Sequence, residues 1–432
     1  MTQAQAGRSP TQQLAAAATL HGRARLILVF VLDGLRPELI NSVDTPHLFR
    51  LRQEGVNYLN GHAVFPTLTR VNAAAIATGA YPGTNGIIGN AMYVPAVDPG
   101  QTFETGDFQK LLTLDERSGG RMLSVQTLGE RLNAHGLRYA VVSSGSTGTS
   151  LLLNPRAVGG VGVLVNGYFE PGRLVAFPPE VNAAILARFG AAPPKGHSQD
   201  PSDGAVDWTE KVLREFVLPE LHPDVVVNWL TEPDHTQHAF GVGAPQSQAM
   251  LRNDDRHIGL TLETLQRLGL AEQTDIFVVS DHGFSVNTFA VNIRQELSGV
   301  GLKAGLDSDD VVVVAGFDQS ILLHVKDRQP SRIQQIVEFL QAQPWTGVIF
   351  TAAKGAEDVR GERLGAAPPG NGPALDPAGW VPGTFSLQLI HMDHTERGPD
   401  IVFTFPWTSA KNAFGLEGTD SINTARVTGP LT

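Results

Sequence analysis

Acidic and imidazole side chains directly follow three strand-like apolar runs in this sequence. They are Asp33 after RLILVFVL, Asp234 and His238 after PDVVVNWL, and Asp281 and His282 after TDIFVVS. Because open α/β sheets bind ligands outside the carboxyl ends of their strands, we expect these side chains to converge. Carboxylate and imidazole together suit zinc or another first-row divalent ion, and two such ions about 4 Å apart can clamp a displacement at phosphorus.

Each of these residues also has an ordinary structural interpretation. An Asp after a strand commonly caps a helix or forms a turn, and DHG alone is a common turn sequence. A helical turn in DHTQH would aim Asp234 and His238 at one point and direct His235 elsewhere, but the segment could also be a solvated loop. Their shared position at strand ends favours the metal interpretation.

The stretch FPTLTRVNAAAIATG at 65–79 carries two candidate nucleophiles. Its strong helix formers and final Gly79 predict a helix with Thr69 at or just before the first turn. The positive end of that helix would favour a charged oxygen or a phosphoryl group there, and a neighbouring metal would activate the hydroxyl. Thr67, beside Pro66, is expected farther from the helix start. Without a metal, Thr69 would simply be a helix cap.

The composition narrows the possible functions. The formal net charge is −11 and no Lys/Arg run occurs, so binding to a nucleic acid polymer is not expected. No apolar run reaches the length of a transmembrane segment. The absence of cysteine excludes disulfides, thiolate catalysis and Cys-ligated zinc. The N-terminus has no clear signal peptide, so a periplasmic, extracellular or cytoplasmic location stays open.

Near-continuous apolar runs alternate with helical patterns along the chain. We predict parallel strands covered on both faces at 24–33, 138–144, 223–230, 274–281 and 399–405. Helical patterns occur at 45–55, 124–136, 209–221 and 256–270. This alternation predicts an α/β fold with a doubly wound, mostly parallel sheet.

Other segments depart from that alternation. Residues 1–22 are predicted to be a flexible tail, and 23–432 a single α/β domain. Within that domain, 91–122 and 285–395 are predicted to be inserted loop or cap regions over the sheet edge. The segment 143–155 lacks the spacing and lysine of a phosphate-binding loop, so we interpret it as a turn after a strand.

Four motifs, VFVLDGLRPEL, FPTLTRVNAAAIATGAYPGTNGIIGN, WLTEPDHTQHAFG and VVSDHGF, occur in this order over about residues 25–285. Together they resemble the metal-site motifs of the alkaline phosphatase superfamily, in its nucleotide pyrophosphatase/phosphodiesterase branch. The resemblance implies a three-layer α/β/α sandwich, two zinc ions and a covalent phospho-threonine intermediate.

The resemblance also implies a role for each motif residue. Thr69 would be the nucleophile and Asn90 would orient the phosphate, with the Thr69 backbone N–H as a second donor. One metal would take Asp33, Asp281, His282 and the Thr69 oxygen. The second would take Asp234, His238 and a third histidine from a C-terminal S/T-x-H-G element.

That third histidine is where the sequence departs from the pattern. The last histidines, His391 and His394, both precede the run at 399–405 that the element should follow. Truncation of the chain, substitution by one of these histidines, or a weak second metal with impaired activity would each explain the departure. We favour truncation, and expect a tighter metal at the site of Asp33 than at that of Asp234, and low turnover.

The leading functional hypothesis is metal-dependent hydrolysis of a small phosphate ester, a diester or pyrophosphate, with nucleotides among the candidates. Hydrolysis of monoesters or phosphonates is the alternative within the superfamily. A non-catalytic relative that binds metal and a phosphorylated ligand is the alternative outside enzymes. Arg36 and Arg70 are interpreted as surface or sheet-edge residues, although Arg70 could lean toward substrate. The sequence predicts no oligomeric state.

Overall fold

Apolar runs that end at the motif residues form the central strands of the fold. The computed structural model describes residues 24–168, 176–193, 203–314, 319–354 and 377–423. The tail predicted at 1–22 lies outside the described residues.

The described strands are β1 Leu26–Leu32, β2 Ala91–Met92, β3 Phe103–Glu104, β4 Tyr139–Ser143, β5 Val163–Asn166, β6 Ala176–Phe177, β7 Val225–Leu230, β8 Thr274–Val279, β9 Val286–Val291, β10 Val311–Val314, β11 Ser320–Val325, β12 Ile349–Thr351, β13 Phe385–Ser386, β14 Ile401–Thr404, β15 Thr408–Lys411 and β16 Glu417–Asn423.

The described α-helices are α1 Pro46–Glu54, α2 Thr69–Thr78, α3 Pro82–Asn85, α4 Phe108–Arg117, α5 Leu128–Ala134, α6 Thr147–Leu153, α7 Pro179–Phe189, α8 Asp203–Val212, α9 Asp234–Phe240, α10 Pro245–Arg267, α11 Ile293–Gly299 and α12 Pro330–Gln341. A π-helical segment, Leu213–Leu221, continues α8. In the part of the chain that is described, no helix has the length and apolar character needed to cross a membrane.

The central sheet has six strands in the order β6-β5-β4-β7-β1-β8. The pairs β4–β5, β4–β7, β1–β7 and β1–β8 are parallel, and β5–β6 is antiparallel. The carboxyl ends of β7, β1 and β8 therefore lie side by side. The predicted doubly wound, mostly parallel sheet is confirmed.

Successive residues of the central strands enter two different cores. Leu28 and Phe30 of β1 pack in a core with residues of α1, α7, α8 and α10. Val31 of β1 and Trp229 of β7 pack on the opposite face, in a core with residues of α2, α4 and α6. Because helices cover both faces of the sheet, the fold is the expected three-layer α/β/α sandwich.

Two of the predicted strands are present, but their positions within the sheets differ from the prediction. The run 399–405 was expected in the parallel sheet, but β14 pairs antiparallel with β11 and β12 in a second, five-stranded sheet. A strand that is buried on both faces has the same apolar sequence pattern in either sheet, so the pattern could not predict which sheet contains β14. The run 274–281 was expected to be covered on both faces, yet alternate residues of β8 are exposed because it is an edge strand.

The two regions that interrupt the alternation have structure of their own. Region 91–122 contains β2, β3 and α4, and the described part of 285–395 contains β9 to β13, α11 and α12. Their status as insertions stays a prediction. The turn expected at 143–155 is a helix from Thr147 onward, because the Ser146 side chain caps α6 by accepting from the Thr149 N–H.

Candidate active site

The strand ends bring the predicted metal ligands together at the carboxyl edge of the sheet. Asp33 follows β1, Asp234 begins α9 after β7, and Asp281 and His282 follow β8. His282 Nε2 lies 3.5 Å from Asp33 Oδ1, 3.3 Å from Asp281 Oδ2 and 3.9 Å from Asp234 Oδ1. The predicted convergence is confirmed for these four side chains.

A glycine allows the ends of β1 and β7 to approach this closely. Gly34 has φ +70°, and a Cβ there would lie 2.9 Å from Asp234 Cβ. The Asp234 N–H donates to the Asp33 carbonyl at 3.0 Å, and Gln237 Nε2 donates to the Gly34 carbonyl at 3.0 Å. The D-G sequence after β1 is therefore needed for both its carboxylate and its backbone conformation.

The acidic side chains are each anchored by only part of their carboxylate. Asp33 Oδ2 accepts from Trp229 Nε1 at 3.1 Å, and Asp281 Oδ1 accepts from the N–H groups of Gly34 and His282 at 3.1 and 2.9 Å. Asp33 Oδ1, Asp281 Oδ2 and Asp234 Oδ1 are buried without a hydrogen-bond partner among the described residues. Buried oxygens of this kind are costly unless a cation neutralises them, so the arrangement fits a metal.

The His282 ring is oriented as a metal ligand. Its Nδ1 lies 2.8 Å from the Gly283 carbonyl oxygen, which can only accept a hydrogen bond. Nδ1 therefore donates this hydrogen bond, and Nε2 faces the carboxylates. Burial lowers the pKa of the His282 ring, but the charges of Asp281 and Asp234 raise it more, so the pKa lies above its usual value. Asp33, Asp281 and His282 are the group of the described residues whose ligand atoms are close enough to share one ion.

The pKa values show how differently the carboxylates are compensated. Burial raises the pKa of Asp33 well above its usual value, and the charges of Asp281 and Asp234 raise it further. Burial also raises the pKa of Asp281. Burial acts in the same direction on Asp234, but its charge and hydrogen-bond interactions with His238, together with the charge of His282, hold its pKa at about 2. The repulsion at Asp33 and Asp281 is what a divalent cation would relieve.

Thr69 lies at the predicted place beside this group. It is the first residue of α2, so its backbone N–H has no partner within the helix. Its Oγ1 lies 3.2 Å from His282 Nε2. Thr67 also borders the cleft but is exposed in the segment before the helix. The position of Thr69 supports it over Thr67 as the nucleophile, and that role stays a prediction.

Asn90 lies on the other side of the α2 start. Its Oδ1 accepts from the Arg70 backbone N–H at 3.0 Å. Asn90 also borders the cleft, and this hydrogen bond leaves its NH₂ group available as a donor. Its role in orienting a phosphoryl oxygen stays a prediction.

The second predicted ligand pair is more open. His238 Nε2 lies 3.4 Å from Asp234 Oδ2, and the His238 side chain is 54% exposed. Its ring contacts Phe284 edge-on, with 4.9 Å between the ring centroids. Helix α9 does aim Asp234 and His238 at one point, as their spacing predicted.

The histidines weighed as substitutes for the third ligand make other contacts. His391 stacks on Tyr81 with ring centroids 3.9 Å apart. His394 Nδ1 accepts from the backbone N–H groups of Glu396 and Arg397 at 3.2 Å, and its Nε2 meets Ser124 Oγ at 3.1 Å. The substitution hypothesis is therefore not supported.

A cleft of about 670 Å³ is bordered by site residues at the strand ends and the start of α2, namely Thr67, Thr69, Asn90, Asp234, His238 and His282. Besides the predicted site residues it is bordered by Phe65, Leu68, Arg70, Ala91, Glu104, Gly283, Phe284, Ser285, Asn287, Gln319, Ser320, Thr404, Phe405 and Trp407. Of the two interpretations of Arg70, its position in the cleft lining favours the one in which it leans toward substrate. The hydrogen bond from Trp229 to Asp33 was not predicted, because the sequence of a strand buried on both faces does not show which side chains lie near the site.

Residues 27–362, well over half of the chain, match the model of the type I phosphodiesterase/nucleotide pyrophosphatase family. The chain belongs to this family. The family is part of the alkaline phosphatase superfamily, so the resemblance seen in the four motifs is confirmed.

Curated relatives within the family are similar over part of their length. A venom phosphodiesterase from Naja atra is 27% identical over 260 residues, which are 60% of this chain and 26% of that protein. Ectonucleotide pyrophosphatase/phosphodiesterase family member 1 from Mus musculus is 24% identical over 262 residues, 59% of this chain and 24% of that protein. The match thus spans about a quarter of these relatives.

Solved structures share the fold over nearly the whole chain. Phosphonoacetate hydrolase from Sinorhizobium meliloti 1021, in complex with phosphonoacetate, superposes with a TM-score of 0.62 at 19% identity, covering 92% of this chain and 83% of that one. Murine ectonucleotide pyrophosphatase/phosphodiesterase 5 superposes with a TM-score of 0.56 at 14% identity, covering 93% and 81%. These likenesses establish the alkaline phosphatase-like fold.

Proposed function

We propose that this chain hydrolyses phosphate esters, of the phosphodiester or pyrophosphate type, through a phospho-threonine intermediate on Thr69. The observation that carries the proposal is the contact of Thr69 with His282 at the start of α2, 3.2 Å from the ring nitrogen that faces the buried carboxylates. Membership of the phosphodiesterase/nucleotide pyrophosphatase family supports the same reaction.

Two divalent ions, most suitably zinc, belong to the proposal. Asp33, Asp281, His282 and the Thr69 oxygen would hold one ion. Asp234 and His238 would provide ligands for the second. When bound, such ions supply positive charge to phosphoryl oxygens and lower the pKa of a coordinated hydroxyl. The unpartnered buried carboxylate oxygens support this assignment.

The chain's own residues would bind and orient the reacting phosphate. The NH₂ group of Asn90 and the backbone N–H of Thr69 donate to a phosphoryl oxygen, where charge develops during attack. Thr69 Oγ1 loses its proton to solvent and forms a bond to phosphorus as the bond to the leaving oxygen breaks, and that oxygen departs with the electron pair. The oxygen of a water molecule then bonds to phosphorus and displaces Thr69, and a proton from that water restores the hydroxyl.

A second candidate function is hydrolysis of a phosphonate or a phosphomonoester. Arg70 favours it, because an additional cation beside the nucleophile suits a substrate with more negative charge. The structural neighbour from Sinorhizobium meliloti 1021 is a phosphonoacetate hydrolase, and a member of this fold can therefore act on such a compound. Binding without catalysis is the third possibility, because the second ligand pair is open and the His238 side chain is 54% exposed.

Release of p-nitrophenol from bis(p-nitrophenyl) phosphate and from p-nitrophenyl phosphate tests these functions. We expect hydrolysis that zinc supports and a chelator abolishes, and that Thr69→Ala reduces by roughly 10³-fold or more. Thr67→Ala is the matched control and should retain activity. Hydrolysis that survives chelator or Thr69→Ala contradicts the mechanism. Zinc-dependent binding of phosphate with no turnover identifies the non-catalytic alternative.

A further inference from the structure

A cation lies in the wall of the cleft beside the proposed nucleophile. Arg70 borders the cleft one residue after Thr69. Its Nε is buried and has no hydrogen-bond partner among the described residues. The charge of its guanidinium contributes to the low pKa of Asp234. The backbone N–H of Arg70 is held by Asn90 at 3.0 Å, so the side chain starts from a fixed point at the site.

A glycine makes room for this guanidinium. A Cβ at Gly106 would lie 2.4 Å from Arg70 Nη2 and 3.1 Å from its Cζ, so any other residue would displace it. The Gly106 carbonyl accepts from the Gly148 N–H at 2.9 Å, which ties this backbone to α6. The cation is therefore built into the cleft wall and does not simply project into solvent.

Such a guanidinium is suited to bind an anion. Its planar fork matches the oxygens of a carboxylate or phosphate, and burial strengthens the pairing. The buried Nε gains a hydrogen bond when a ligand supplies an acceptor. The other protein groups proposed to bind phosphate, Asn90 and the Thr69 N–H, are neutral donors, so Arg70 is the charged side chain among them.

We propose that Arg70 selects substrates that carry a second anionic group beside the reacting phosphorus. The inference rests on the proposed hydrolysis at Thr69 and specifies its substrate class. The second anionic group is either a further ionised oxygen on the phosphorus, as in a monoester, or an acid on the organic substituent. Either source places negatively charged oxygens in the same cleft, and the experiment below distinguishes the two sources.

Two pairs of p-nitrophenyl substrates separate these sources. The first pair is p-nitrophenyl phosphate and its methyl ester, which differ by one charge on phosphorus. The second pair is the p-nitrophenyl phosphodiesters with a carboxymethyl or a neutral carbamoylmethyl group. For each substrate the zinc-loaded variants Arg70→Gln and Arg70→Lys are compared with the unaltered protein in kcat/KM. Arg252→Gln, which removes a surface ion pair with Asp44, is the control.

We expect Arg70→Gln to lower kcat/KM by roughly 10- to 100-fold for the more anionic member of at least one pair, as loss of a charge-assisted contact predicts. The less anionic member of that pair should be unchanged within error, and Arg70→Lys should recover part of the loss. The pair that responds identifies the source of the second charge. An equal loss for both members of each pair, or no loss, overturns the proposal.

A binding measurement separates this proposal from the proposed reaction. Calorimetry on zinc-loaded Thr69→Ala protein, with and without Arg70→Gln, gives the Kd of each substrate without turnover. We expect the more anionic member to bind more tightly only when Arg70 is present. If hydrolysis fails but this preference holds, the reaction is wrong and Arg70 is still an anion selector. If hydrolysis depends on Thr69 but the preference is absent, the selectivity proposal alone fails.

Discussion

The Asp33 and Asp281 side chains are 4% and 0% exposed, whereas the His238 side chain is 54% exposed. We call Asp33, Asp281 and His282 the first half of the site, and Asp234 and His238 the second half. The carboxylates of the first half follow strands β1 and β8 and accept hydrogen bonds from Trp229 and from the Gly34 backbone. The second half is carried by one turn of α9.

The two halves of the site also differ in how completely the protein neutralises their carboxylate charges. Asp234 has an imidazole partner that holds its pKa at about 2, so this carboxylate is stable as an anion without a metal. Burial raises the pKa values of Asp33 and Asp281; the charges of Asp281 and Asp234 raise that of Asp33 further, and the charge of Asp234 acts in the same direction on Asp281. The first half therefore gains more from a cation, and its ligands are already oriented for one. We infer that the first half is the tighter metal site.

Asp281→Asn should have the largest effect on this difference. The variant keeps the acceptor for the Gly34 and His282 N–H groups but removes a ligand charge. We expect the zinc affinity of the tighter site to fall by more than roughly 10- to 100-fold, which is the cost of losing a residue that only hydrogen bonds to a metal ligand. Zinc should then stabilise the variant much less than the unaltered protein in thermal unfolding.

In the absence of metal we expect the same variant to have the opposite effect on thermal stability. Because the repulsion between Asp33 and residue 281 is removed, the chelated variant should melt at or above the Tm of the chelated unaltered protein. A lower Tm without metal would show that the charge of Asp281 is stabilised by the protein alone, and would weaken the argument for a cation.

His238→Ala should have a smaller effect. We expect the weaker zinc affinity to fall while the tighter affinity is unchanged, because His238 pairs with Asp234, whereas the tighter ion would be held by Asp33, Asp281 and His282. Zinc titration followed by calorimetry measures both steps. Loss of the tighter step in this variant would show that the two halves are not independent.

Trp229→Phe should have the smallest effect of the three. It removes the N–H that anchors Asp33 Oδ2 and leaves every proposed ligand in place. We expect roughly 10-fold weaker binding at the tighter site, the cost of losing a group that orients a ligand. Circular dichroism verifies the fold, since Trp229 is fully buried. Unchanged affinity would mean that packing alone orients Asp33.

The sequence predicted the first half of the site well for a physical reason. Parallel strands end at one edge, so Asp33 and Asp281 had to meet once their strands were neighbours. The place of β14 could not be predicted, because its burial pattern fits either sheet. The two interpretations of Arg70 could not be separated from the sequence, because the space for its guanidinium depends on Gly106, thirty-six residues away.

Zinc titration of the metal-free protein tests the central claim most directly. Calorimetry is expected to show a tight step, abolished by Asp281→Asn, and a separate step at least roughly 10-fold weaker, sensitive to His238→Ala. Two equally tight steps would contradict the account, because they would show that the Asp234 and His238 pair is as complete a metal site as the buried group at Asp33.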